Sequence, residues 1–331
     1  MRMKCSSVLI KMLVLISLTI VLPARPCFTQ EVPARSMKLE ATSVAELGAW
    51  QNKLRNELFD LLKLSDLVAN KENIAFHLEE ISDDNGKGYT LKTLSFKSTN
   101  KRRISALLAI PDNLTAPAPA VIAVHGHGAS MLTPFNLDKD IYKEFGSALA
   151  QQGYIVISVD VGQHNVYEDG RTLMGERLWD LMRCVDLLES MSQVDRKRIG
   201  CAGLSLGGEM TMWLGAMDTR IKVTSSCGFL TYMDRLEKNH CLCWKFDGLR
   251  ALVDFPDLYA MIAPRALQCQ NGLKEPPTQF TVEVAQKALT EIAPAYALSN
   301  AQEKLQLVAH EGAHEINLPA LQTFMNEELN N

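Results

Sequence analysis

Apolar positions along this chain follow three rhythms. Short runs apolar on both faces recur at 120–124, 154–159, 198–202, 221–225, 266–270 and 305–309, each separated from the next by helix-length material. A strand buried between two layers needs that continuous apolarity, so the pattern predicts a mostly parallel sheet with helices on both faces. Ahead of it, 89–96 and 103–111 alternate apolar with polar residues around the polar turn Ser98-Thr99-Asn100-Lys101. A period of two predicts an antiparallel hairpin at the N-terminal edge of the sheet. Further upstream, Trp50, Leu54, Leu58 and Leu61 keep helical spacing behind Ser43, a good N-cap, which predicts a helix over 44–64 laid on the body. The fold class is therefore α/β.

The first residues belong to a different pattern. Arg2, Lys4 and Lys11 precede or open the apolar stretch 12–22, which is shorter than the roughly 20 residues of a membrane span. This reads as an export leader over residues 1–30, followed by an N-terminal helical extension at 31–72 and one large domain at 73–331. A periplasmic or extracellular location follows. Across 331 residues, 47% hydrophobic and 22% charged is an ordinary globular balance, so a single large α/β domain is expected. A net charge of −4 and a pI near 6.0 leave no basic field to gather phosphates, which removes nucleic acid as a partner. No integral membrane span is expected, and the oligomeric state is left open.

Export permits disulfides. Cys201 and Cys269 fall inside strand runs and read as small core residues, whereas Cys227, Cys241 and Cys243 fall in a loop-rich region where a bridge is open to them. Cys241-Leu242-Cys243 has no second paired Cys/His set at structural-zinc spacing, and His125 and His127 have no accompanying carboxylate cluster. No metal and no cofactor are expected.

In a parallel sheet the chemistry gathers beyond the carboxyl ends of the strands. One run ends in Gly203-Leu204-Ser205-Leu206-Gly207-Gly208 and leads into helix-forming residues, a strand-turn-helix in which Ser205 projects from a sharp bend. The first run ends in His125-Gly126-His127-Gly128, where the backbone N–H of His127 would join that of Leu206 in holding a developing oxyanion. Another leads to Glu275, the candidate acid, and the last to His314, the candidate base, with Gly312 just before it. Asp160 reads as structural, and Asp247, Asp254 and Asp257 as capping or surface carboxylates. The order Ser205, Glu275, His314, each after a strand, is the chain order of one triad scaffold.

These motifs, with Gly170-Arg171-Thr172, Trp179-Asp180-Leu181-Met182-Arg183 and the stretch from Phe255-Pro256-Asp257 to Ala263-Pro264-Arg265, make the chain resemble the α/β-hydrolases from about residue 75 to its end. Within them it is similar to the exported branch related to dienelactone hydrolases and acetyl xylan esterases. The resemblance implies an α/β-hydrolase fold and a serine esterase with Ser205 as nucleophile, His314 as base and Glu275 as acid. Its substrates would be small-molecule or carbohydrate esters with short acyl groups. Members of that branch usually carry Asp in a Gly-x-x-Asp motif, whereas this chain reads Gly272-Leu273-Lys274-Glu275. A small-peptide hydrolase and a non-catalytic ligand-binding relic stand as rival readings. The stretch 229–246, without clear periodicity, is expected to overhang the site and set its specificity. N-terminal sequencing of the exported protein is expected to start between about residue 24 and residue 32; an intact Met1 on the folded, exported product overturns the leader.

Overall fold

A computed structural model describes residues 35–136 and 139–330; the proposed leader lies outside them. The strands are β1 (Glu79–Asn85), β2 (Tyr89–Lys97), β3 (Arg103–Pro111), β4 (Ala118–Val124), β5 (Ile155–Val159), β6 (Val194–Leu204), β7 (Val223–Cys227), β8 (Ala266–Gly272) and β9 (Leu305–His310). The helices are α1 (Val44–Leu61), α2 (Ser65–Ala69), α3 (Phe145–Gln151), α4 (Leu173–Ser190), α5 (Leu206–Met217), α6 (Met233–Leu236), α7 (Leu249–Leu252), α8 (Phe255–Ala260), α9 (Val282–Leu298) and α10 (Leu318–Leu329).

The apolar runs became β4 to β9, which pair in parallel, and the alternating hairpin became β2 and β3, which join them through the antiparallel β3–β5 pair. Among the described residues this makes one sheet in the order β1-β2-β3-β5-β4-β6-β7-β8-β9. Alternate residues of the central strands feed two cores. Ala120, Ile122, Ile155 and Ile157 face one, and Val121, Ala123 and Val156 the other.

Three departures from the sequence reading have local causes. Strand β1 was missed because its residues, Glu-Glu-Ile-Ser-Asp-Asp-Asn, are all exposed; its pairing with β2 defines it, with no burial pattern. Helix α1 stops at Leu61 rather than 64 although good helix formers continue. Lys63 turns left-handed at φ 61°, its N–H bonds to Asp60 O at 3.1 Å, and that of Leu64 reaches back to Phe59 O at 2.8 Å. This is a glycine-type helix stop made by a lysine, tied down by the full burial of Leu64. Strand β7 lies two residues later than expected, so Cys227 is a buried strand end rather than a loop residue.

Residues from Met37 through Leu64 share a core with the sheet. Ser43 caps α1 by accepting from Glu46 N–H, and Leu54 and Leu58 are fully buried, each a contribution of about 1.5–3 kcal/mol. Met37 N–H bonds to Leu252 O at 2.9 Å, Trp50 Nε1 donates to Met37 O at 3.0 Å, and Arg35 pairs with Asp257 at 3.0 Å and with Glu291. Asp254 and Asp257 form a capping box on α8, the modest role expected of them.

The seat of α1 on the body is testable through two glycines. A Cβ on Gly175 would lie 2.3 Å from Leu62 O, a backbone atom that cannot swing aside, whereas one on Gly48 meets nothing within 4 Å. Gly175→Ala is expected to lower unfolding stability by about 1–3 kcal/mol through overpacking, and Gly48→Ala to raise it by up to about 1 kcal/mol through helix propensity. Urea unfolding of the two variants checks both signs.

Candidate active site

The turn from β6 into α5 is tight enough to exclude side chains. A Cβ on Gly207 would lie 2.2 Å from Val124 O, and one on Gly203 would lie 2.6 Å from both Gly207 O and Val124 O. Glycine at both positions lets α5 start directly against β4, and the chain closes the bend at Ser205, which sits at φ 63° and ψ −122°. For a residue with a Cβ this conformation costs on the order of 1–3 kcal/mol. Ser205 N–H is bonded to Cys227 O at 2.9 Å, so the strained residue is held from the neighbouring strand end.

The next residue, Gly228, turns left-handed at φ 62° and makes room for the opposite side of the site. A Cβ there would meet His314 Cε1 at 2.8 Å and Leu204 Cδ1 at 3.1 Å. Ser205 and His314 therefore flank one backbone corner, although they are far apart in sequence. His314 comes from the loop after β9, and its Nδ1 lies 2.9 Å and 3.1 Å from the two oxygens of Glu275. The Glu275 side chain is almost wholly buried, at 2% exposure, while that of His314 keeps 30%. A buried carboxylate on Nδ1 makes that nitrogen the donor and leaves Nε2 free to accept a proton.

Glu275 reaches the ring because β8 runs on to Gly272 and the chain then folds tightly against the histidine loop. Leu273 N–H bonds to His310 O at 2.8 Å, Lys274 N–H to Gly312 O at 3.0 Å, and a Cβ on Gly272 would lie 2.1 Å from Ala313 O. Phe280 stacks on the His314 ring, with centroids 5.6 Å apart, and Asn271 holds the Phe280 carbonyl at 2.8 Å. Neither residue was singled out from sequence, because an Asn in a strand and a Phe in a loop carry no spacing signal.

On the other side of the serine, the loop after β4 commits most of its groups to the fold. Gly126 N–H donates to Tyr142 Oη at 2.7 Å. His125 is fully buried; its Nε2 accepts from Val161 N–H at 3.0 Å, so Nδ1 carries the proton and donates to Gly126 O at 2.9 Å. His125 is thus a strut between two strand ends. Asp160 is structural too, accepting from Met131 N–H at 2.8 Å. The main chain of His127 follows directly, and Leu206 opens α5, where the first helical N–H groups lack intrahelical acceptors. The His127 imidazole, pushed down to about 4 by burial and then by neighbouring cations, is neutral at pH 7.

Among the described residues all six cysteines are free, so the bridge left open for Cys227, Cys241 and Cys243 is absent. Cys227 ends a strand, whereas Cys241 and Cys243 face two histidines: His164 Nε2 lies 3.3 Å from Cys241 Sγ, and His127 Nε2 lies 3.1 Å from Cys243 Sγ. Sequence spacing hid this group because three separate loops supply it. The expected overhang is also shorter than 229–246: Phe229, Leu230, Met233, Leu236 and Trp244 are buried in the core. From that stretch His240 also contacts the rings of Phe280 and His127.

A tight glycine-flanked strand-turn-helix at Ser205 after the sixth strand, with Glu275 after the eighth and His314 after the ninth, on a sheet of this strand order, decides the architecture. The fold is that of the α/β-hydrolases. Known proteins agree with this assignment. A family profile for fungal glucuronyl esterases matches residues 95–228. A Bacillus subtilis chain provisionally named hydrolase YtaP is 24% identical over 248 residues, 68% of this chain and 82% of its own. A crystal structure from Bacteroides fragilis, provisionally described as an acetyl xylan esterase, superposes with a TM-score of 0.69 at 19% identity, covering 84% of this chain and 79% of that one. A glucuronoyl esterase from Solibacter usitatus gives 0.60 at 16% identity, over 76% of this chain and 86% of its own. Among the described residues, no helix is long and apolar enough to cross a membrane.

The strain at Ser205 gives a test that needs no substrate. Replacing Ser205 by Gly removes the Cβ that makes φ 63° costly, whereas Ser205→Ala keeps it. Ser205→Gly is expected to unfold at higher temperature than Ser205→Ala, by an amount equivalent to about 1 kcal/mol or more. Equal melting temperatures would remove the strain from the account.

Proposed function

We propose that this protein is an exported serine esterase that cleaves short acyl groups from small-molecule or carbohydrate esters through Ser205, His314 and Glu275. The observation that carries the reading is the buried Glu275 carboxylate on His314 Nδ1 at 2.9 Å, next to the corner that holds Ser205. His314 Nε2 takes the Ser205 proton as Oγ attacks the ester carbonyl, and Glu275 fixes the tautomer and stabilises the imidazolium. The N–H groups of Leu206 and His127 receive the developing oxyanion, each lowering the barrier by roughly 3 kcal/mol. The imidazolium then protonates the leaving alcohol, and water activated by the same histidine releases the acid.

A bidentate Glu in place of the branch's usual Asp supports catalysis over the relic reading, because the longer side chain still meets the ring at hydrogen-bond distance. For the alcohol side of the substrate, a polar groove of about 870 Å³ borders Gly128 and Ala129, with Arg103, Gln163 and the exposed ring of Tyr167 on its walls. Its lining does not include Ser205 or His314. We assign it to the hydroxyl-rich remainder of the ester, and its polar lining supports a carbohydrate ester over a peptide.

A labelled fluorophosphonate is expected to modify Ser205, located by mass spectrometry, and Ser205→Ala to abolish both labelling and ester hydrolysis. An adduct on another serine overturns the assignment. Glu275→Gln should lower kcat by about 10²–10⁴-fold with little change in KM, since an amide permits the wrong imidazole tautomer. Near wild-type turnover in that variant, beside a collapse in Asp254→Asn or Asp257→Asn, would move the acid elsewhere. Tyr167→Ala should raise KM for acetylated sugars while leaving small aryl acetates unaffected.

A further inference from the structure

The four side chains at the mouth of the site do more than pair. Two thiol–imidazole contacts, Cys243 with His127 and Cys241 with His164, would each be satisfied alone as a hydrogen bond. Here both pairs converge, and one ligand atom from each of His127, His164, Cys241 and Cys243 lies within 4.8 Å of the others. A tetrahedral ion with bonds of 2.0–2.3 Å sets its ligand atoms about 3.3–3.8 Å apart, close to the separations of 3.1 Å and 3.3 Å found within the pairs. We propose that His127, His164, Cys241 and Cys243 bind a zinc ion that joins the loop after β4, the loop after β5 and the 237–248 connection.

The donor set argues for zinc over calcium or magnesium, because two sulfurs and two imidazole nitrogens with no carboxylate suit a borderline-soft dication. Four protein ligands close the coordination sphere, which marks a structural rather than a water-activating ion. Binding would release the two thiol protons to solvent, so that two thiolates balance the dication. An independent observation points to the same place. Arg177 on α4 is wholly buried and interacts with the Cys243 side chain, yet its Nε and Nη1 have no hydrogen-bond partner. A buried guanidinium left that way costs several kcal/mol unless an anion sits beside it. A zinc-bound thiolate at Cys243 would be such an anion, in addition to the buried Glu209 carboxyl, which interacts with Arg177 and which burial pushes up to about 8.

The ion would hold His127 by its side chain while the main chain of the same residue faces the serine. On the catalytic reading above, losing the ion would loosen one oxyanion donor and lower kcat. Metal binding itself does not depend on that reading and is measured apart from it.

The test uses the mature protein, reduced and stripped with a chelator, then titrated with Co²⁺. We expect one equivalent to produce thiolate-to-cobalt charge-transfer absorption with the intense visible bands of tetrahedral cobalt, and Zn²⁺ to displace it. Cys241→Ser with Cys243→Ser should abolish the charge-transfer absorption, and His164→Ala should weaken binding by at least about tenfold. Circular dichroism on each sample checks folding, and fluorophosphonate labelling of Ser205 on the same samples reads the nucleophile separately. Folded, reduced wild-type protein without thiolate charge transfer, leaving only two thiol–imidazole hydrogen bonds, overturns the site. So does an unchanged spectrum in the double serine variant.

Discussion

The close contact between the start of α5 and the end of β4 governs the candidate site. With Gly207 packed on Val124 O and Gly203 packed on Gly207, helix and strand meet at a separation that only backbone can occupy. The chain has no room for a relaxed loop, so the bend is taken up by one residue, Ser205, in a conformation that a side-chain-bearing residue avoids. Everything else at this end of the sheet is arranged around that fixed point. Cys227 O restrains Ser205 from one neighbouring strand, and Gly228 clears the space that the His314 ring fills. The same contact brings the first amides of α5, which lack intrahelical acceptors, beside Ser205.

The acid is positioned by backbone too. The β8 and β9 ends pair as far as Gly272 and His310, after which main-chain hydrogen bonds from Leu273 and Lys274 fold the acid loop onto the histidine loop. With both loops joined through their backbones, the length of the acidic side chain matters less than where its Cα stands. Glu275 presents both oxygens to His314 Nδ1 at nearly equal distance.

How much of this could be read beforehand depended on whether a signal was local. Ser205, Glu275 and His314 each follow a recognisable apolar run within a few residues, so strands and candidate side chains could be picked out together, and the parallel sheet followed from the same runs. The left-handed stop at Lys63 was invisible because lysine is an ordinary helix former; the burial of Leu64, a tertiary fact, ends α1. Strand β1 lacked any apolar period. The group of His127, His164, Cys241 and Cys243 was the clearest failure of spacing arguments. A search for paired ligands along the chain cannot find a set whose members come from the ends of two strands and a distant connection.

The outermost strand has a consequence for how copies of this chain meet. An open sheet ends in unpaired backbone groups that invite another strand. At β1 that edge carries Glu79, Glu80, Asp83 and Asp84, all exposed; Glu79 and Glu80 are turned toward Arg103 and Lys92 of the inner strands. A second copy approaching through the same strand would bring carboxylate against carboxylate and bury almost nothing apolar. The β1 edge is thus electrically insulated against growing by addition, and acid or concentrated salt is what would strip that insulation away.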